Sequence, residues 1–233
     1  MKLGVGYRIE CVKETESRMK VGVLGSGDVG RTLAAGFAKH GHQVMLGTRK
    51  PQDTEIQSWV SKTPGARAGT FAETAAFGDM IVLAVLGRIV DQVIALAEPR
   101  NFEGKPVIDT TNPLSDAPPL NGMFLLFTGP NESLGERLQA LLPGAHVVKA
   151  FNSVGNARMI DPVYEQGTPT MFYCGDSEEA KAKVAEVIRQ FGWEPFDCGK
   201  ITASRCLEPL VSLWCLPGIL RNQWTHAFKV LTH

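Results

Sequence analysis

No stretch of this sequence is apolar enough to cross a bilayer. Its most hydrophobic segment, residues 207–220, contains Glu208, Pro209 and Pro217 and falls short of the ~20 apolar residues a spanning helix needs. No charge of one sign dominates either: Lys plus Arg and Asp plus Glu number 24 each, so no summed field draws the chain to nucleic acid or to an anionic membrane surface. The cysteines are few (Cys11, Cys174, Cys198, Cys206, Cys215) and form no CxxC pair, which speaks against a zinc site or a dithiol redox motif. No basic-then-apolar leader opens the sequence. A cytoplasmic protein with free thiols and small-molecule partners is expected, with no nucleic-acid or membrane binding.

Catalytic sets are sparse as well. There is no Ser/His/Asp arrangement, no metal-ligand cluster and no phosphate-transfer lysine motif. His40, His42, His146, His226 and His233 have no evident carboxylate partner in the sequence, and each reads as structural or solvated. Lys149 adjoins a strand end, where a solvent-facing lysine is the default expectation.

What is present is a repeating alternation. Short apolar runs and helix-period segments succeed one another from Met19 to about Cys198, the pattern of stacked βαβ units. Strands are predicted at 20–24, 43–46, 66–68, 80–84, 106–108, 146–150, 170–174 and 194–197. Capping boxes are predicted at Ser133 with Glu136 and at Asp176 with Glu179. The fold class is α/β: a Rossmann-type, doubly wound, mostly parallel sheet with a short C-terminal helical tail. Three regions follow: a loosely ordered extension (1–18), a nucleotide-binding domain (19–199) and a tail (200–233). In the tail, Leu207, Leu210, Val211 and Trp214 fall at helical spacing, as do Trp224 and Phe228, and Pro217-Gly218 is expected to split it into two short helices. Its apolar surface predicts a homodimer, with the tail reaching over the cleft of its own or a partner subunit.

Gly25-Ser26-Gly27-Asp28-Val29-Gly30 follows the run Val21 to Leu24 and opens a helical segment. Strand, glycines and helix together form a dinucleotide fingerprint: Gly25 for the tight turn, Gly27 for close approach of a pyrophosphate, Gly30 for helix–strand packing. About 20 residues on, where an NAD-binding chain places a carboxylate, stand Thr48-Arg49-Lys50, a hydroxyl and two cations suited to a 2′-phosphate. NADPH is expected to bind in preference to NADH. The cofactor is also expected to meet the later strand ends: Ala84, Val85, Leu86 and Arg88 after the fourth, Asn112 and Pro113 after the fifth, Ala150, Phe151 and Asn152 after the sixth. Since a carbonyl reductase needs a proton donor and none is evident, a ring acceptor that carries its own proton sites fits better.

The sequence resembles the F-420:NADP oxidoreductases and the related cytosolic domains of the six-transmembrane ferric reductases over about Met19 to Val230. The resemblance rests on Gly25-Ser26-Gly27-Asp28, Gly47-Thr48-Arg49, Val148-Lys149-Ala150-Phe151-Asn152 and Phe172-Tyr173-Cys174-Gly175-Asp176. It implies NADP(H) at the glycine loop and Thr48-Arg49-Lys50, Phe151-Asn152 near the nicotinamide, and hydride exchange with F-420, FMN or FAD. The glycine loop is closer to the ferric reductase form than to a Gly-Gly-Thr-Gly-Asn type. No haem-bearing domain is found in the sequence, so direct transmembrane electron transfer is not expected. A dehydrogenase of a small carbonyl or imine substrate and a non-catalytic NADPH-binding sensor remain as alternatives.

Overall fold

The structure, a computed structural model, describes residues 18–232, so the expectation for the 1–18 extension falls, but for Arg18, outside the described residues. The first half is β1 (Lys20–Leu24), α1 (Asp28–Lys39), β2 (Gln43–Gly47), α2 (Thr54–Lys62), β3 (Ala66–Gly69), α3 (Phe71–Phe77), β4 (Met80–Leu83), α4 (Val90–Ala97) and β5 (Pro106–Asp109). The second half is α5 (Leu134–Leu141), β6 (His146–Lys149), β7 (Thr170–Gly175), α6 (Glu178–Gln190), β8 (Glu194–Asp197), α7 (Ser204–Leu207) and α8 (Leu210–Arg221). The strands form one sheet in the order β3-β2-β1-β4-β5-β6-β7-β8. All neighbours run parallel except β6 and β7.

The strand residues explain the layers. Successive side chains on a strand point to opposite faces, and a sheet covered on both sides needs apolar residues at every position. Met80 and Val82 thus enter one core with α1 and α6, while Ile81 and Leu83 enter the other with α3, α4 and α5. Val147 and Val148 divide in the same way. The order reverses between β1 and β4, which opens a crevice above their carboxyl ends.

Three local expectations are corrected. Helix α6 is capped by Ser177, whose hydroxyl accepts from Ala180 N, because the Asp176 carboxylate is occupied by Ile201 N at 3.1 Å. Helix α8 runs through Pro217. The carbonyl that loses its N–H donor there belongs to Leu213, which is exposed, so the proline is tolerated. The Trp224–Phe228 pair is not helical. Asn222 at φ 54 ends α8, and the chain folds back so that Trp224 lies 5.8 Å from Trp214 and Phe228 O accepts from Thr170 N.

Candidate functional site

At the head of α1 the sequence dictates an open anion seat. Helix α1 begins at Asp28 with Gly27 as an N-cap that offers no side-chain hydrogen bond, so its first N–H groups are available to a ligand. Gly25 adopts φ +123, and a Cβ there would stand 2.1 Å from Ala84 O. At Gly30 a Cβ would stand 1.9 Å from Gly25 O, so only glycine lets the helix approach the loop. At Gly27 a Cβ would meet no protein atom within 4 Å: that side of the loop is open space, as a pyrophosphate seat requires.

A cavity of about 670 Å³ extends from this loop across β1 and β4 to the end of β5. It is lined by Gly25 through Val29, Thr48, Arg49, Ala84, Val85, Leu86, Arg88 and Asn112 from the predicted set. Thr48 Oγ1 accepts from Ser26 Oγ at 3.2 Å, joining the β2 end to the glycine loop, and Arg49 is exposed beside them. The remaining predicted residues do not line it. Gly30 packs behind the loop, Lys50 lies exposed beyond Arg49, and Pro113 and Ala150 are buried. Phe151 sits at φ 59, and its ring turns into the core, 5.8 Å from Phe191. Asn152 acts from behind: its Nδ2 donates to Asn112 Oδ1 and to Leu207 O.

Among the other lining residues, Phe71, Gln92, Leu114, Ser115 and Phe124 were missed by sequence reasoning. Phe71 had a signal, since Thr70 and Glu73 form a capping box that starts α3; Phe124 lies in an irregular loop with no periodicity to mark it. The outer wall comes from 114–124, and no residue of 200–232 lines this chain's cavity, so of the two placements expected for the tail, over its own cleft or over a partner's, the first is not seen. A second cavity of about 460 Å³ shares Gly87, Arg88, Leu114 and Ser115 with the first and is closed by Phe127, Leu134 and Arg137.

Lys149 corrects another expectation. It is fully buried, 2.6 Å from Asp109 Oδ2 and 3.0 Å from Glu208 Oε1. Burial alone would lower its pKa, but the two carboxylates outweigh that and hold the ammonium above its ordinary value. Neighbouring Cys174 lies 3.3 Å from Ser204 Oγ, and burial pushes its thiol up to about 11, so it stays protonated at neutral pH.

A doubly wound sheet with an open glycine loop at its switch point, and a hydroxyl and a cation at the β2 end, defines a dinucleotide-dependent oxidoreductase fold. Residues 20–113 match the family described as NADP oxidoreductase, coenzyme F420-dependent. A crystal structure from Arthrobacter sp. FB24, described as of a "putative F420 dependent NADP-reductase", superposes with a TM-score of 0.85 at 32% identity, covering 92% of this chain and all of that one. The F420-dependent NADP reductase of Methanothermobacter thermautotrophicus is 28% identical over 84% of this chain and 87% of its own length. Rat metalloreductase STEAP3 is 31% identical over 86% of this chain. The chain spans about two fifths of the length of the metalloreductases it matches. The chain belongs to the F420-dependent NADP oxidoreductase family and is related to the STEAP metalloreductases over that part of their length.

Proposed function

We propose that the chain exchanges hydride between NADP(H) and a flavin- or deazaflavin-type acceptor. The observation that carries this reading is the pair of adjoining cavities. The first leads from the glycine loop to Thr111-Asn112; the second opens off its far end between Leu114 and Arg88 and is walled by Phe127 and Leu134. A dinucleotide laid from the α1 N-terminus would bring its nicotinamide to this junction, and a flat ring would fit beyond it. The ionisable side chains lining the two cavities are Asp28, Arg49, Arg88, Asp91, Asp116 and Arg137, with Arg88 paired to Asp116 and no histidine, lysine or tyrosine in either lining, which suits an acceptor that needs alignment more than a protein acid. NADPH supplies the hydride when bound.

The chain's own residues divide the remaining work. Ser26 to Val29 offer backbone N–H groups to the pyrophosphate, the Gly25 N–H being donated to Gly47 O, and Thr48 and Arg49 receive the 2′-phosphate with Lys50 exposed beyond them. Ala84, Val85 and Leu86 line the floor, with Arg88 and Asn112 at the ring end. The similarity to the Methanothermobacter F420-dependent NADP reductase supports F-420 as one acceptor class; the ferric-reductase-like form of the Gly25 to Gly30 loop speaks for FMN or FAD as another. A homodimer is part of this reading, supported by the apolar face that α8 and the 120–125 loop leave exposed.

The test is NADPH oxidation by the purified protein against F-420, FMN, FAD, ferric chelates and quinones. Turnover with a ring acceptor is the expected result, whereas tight NADPH binding with no turnover on the whole panel would overturn the proposal in favour of a sensor.

A further inference from the structure

The end of β5 is held from behind by charges that never reach the cavity. Thr111 lines the cavity and is almost fully buried. Asp109 Oδ1 accepts from Thr111 N at 2.9 Å and from Thr111 Oγ1 at 2.7 Å, and Lys149 Nζ donates to Thr111 O at 2.9 Å. Every polar group of Thr111 is thereby fixed. Glu208 completes the set from the tail: Oε1 lies 3.0 Å from Lys149 Nζ, and the carboxylate accepts from Leu134 N and Gly135 N at the start of α5. The next residue is tied to the same segment, since Asn112 pairs with Asn152, which donates to Leu207 O.

Such a cluster is costly to build. Three buried charges lose their hydration, and well-packed apolar residues of similar volume would stabilise a fold at least as well. What the cluster delivers is geometry: one ammonium that meets acceptors from β5, from the Thr111 backbone and from the residue that follows α7 at once. We propose that Lys149, Asp109 and Glu208 are positioning residues for hydride transfer, fixing the Thr111-Asn112 wall against the ring end of the dinucleotide and making that wall dependent on the C-terminal segment. This rests on the functional reading above for where the ring lies. The adenosine end, built from Gly25 to Val29 and Thr48-Arg49, shares no contact with the cluster.

The two ends are therefore separable by experiment. Lys149→Met strands two buried carboxylates and endangers folding, so Glu208→Gln carries the test: it keeps the shape and leaves Asp109 on Lys149. Two probes are titrated, NADPH and 2′,5′-ADP, which lacks the nicotinamide. Glu208→Gln is expected to bind 2′,5′-ADP within about twofold of the wild type, as distant sites act independently. Hydride transfer at saturating NADPH should fall about 100-fold, as for a reacting group displaced by an ångström, with the NADPH to 2′,5′-ADP affinity ratio falling too. A wild type that reduces no acceptor sinks the functional reading alone, and the affinity ratio still judges the cluster. Unchanged transfer and ratio in a folded Glu208→Gln protein, or equal loss of both probes, would overturn the proposal.

Discussion

At the scale of single residues, Arg49 and Lys149 show opposite relations between sequence and structure. Arg49 stands one residue beyond Thr48 at the β2 end, exposed and beside the glycine loop, where its position after the second strand and its chemistry both placed it. Arg49→Ala should remove a charge-assisted contact to a 2′-phosphate and weaken NADPH by about 1.5 to 3 kcal/mol, one to two powers of ten. NADH affinity should not move. Titration of both cofactors against wild type and variant checks this, and equal wild-type affinities for the two would remove the assignment. Lys149 was legible only as a strand-end lysine. Its partners lie 40 and 59 positions away, on β5 and just after α7, and no local spacing announces a contact of that range. The place of the Phe151 ring is hidden for a related reason, since its positive φ turns the ring into the core and backbone handedness is not written in residue type for a phenylalanine.

Elements were legible wherever one local signal decided them. The valine-rich strands and the Gly25 to Gly30 turn carry their own periodicity and punctuation, so the sheet and its switch point followed from the sequence. Elements decided by tertiary contacts did not: α8 passes Pro217 because its outer face is solvated, and Trp224 leaves helical geometry to pack on Trp214. Helix α5 combines both cases. Ser133 caps it through Glu136 N, as the sequence implied, while Glu136 also binds Arg205 through paired hydrogen bonds. The Arg205 hydrogen bond chiefly, with help from Ser133 and against some burial, holds the Glu136 pKa below its ordinary value of 4.5. Asp161 is lowered likewise, first by its hydrogen bond to Lys39 on α1. A carboxylate whose pKa is depressed on folding contributes stability above its unfolded pKa and loses it as pH falls through the folded one. Stability should accordingly be level from neutral pH down to the ordinary carboxylate range and decline below it. Urea midpoints recorded from pH 7 to pH 3 measure this, and Glu136→Gln should flatten the decline; an unchanged slope would show that the Arg205 pair contributes nothing.

At the scale of the whole molecule, α8 and the 120–125 loop leave an apolar face without a cover among the described residues. Along α8, Leu213 and Leu220 are exposed one heptad apart, with Leu216 half-buried between them. The 120–125 loop lies against this helix, for a Cβ at Gly122 would meet Leu216 and Leu220 within 3.3 Å. Leu120, Met123 and Leu125 extend the patch outward. Contiguous apolar surface of this kind marks an interaction site, and a two-fold dimer buries it most simply. The face also touches the chemistry, because Phe124, between Met123 and Leu125, lines the cavity. Covering its neighbours would fix Phe124 in the wall, so the dimer and the acceptor site are expected to depend on each other, while the adenosine end stays indifferent. The 233-residue chain should therefore scatter light as a dimer at micromolar concentration. Leu213→Glu/Leu220→Glu, which places unpaired charges in the interface, should scatter as a monomer, with a raised KM for the acceptor and an unchanged Kd for 2′,5′-ADP. A monodisperse wild-type monomer would refute the interface, and a monomeric variant with wild-type acceptor kinetics would separate the dimer from the site.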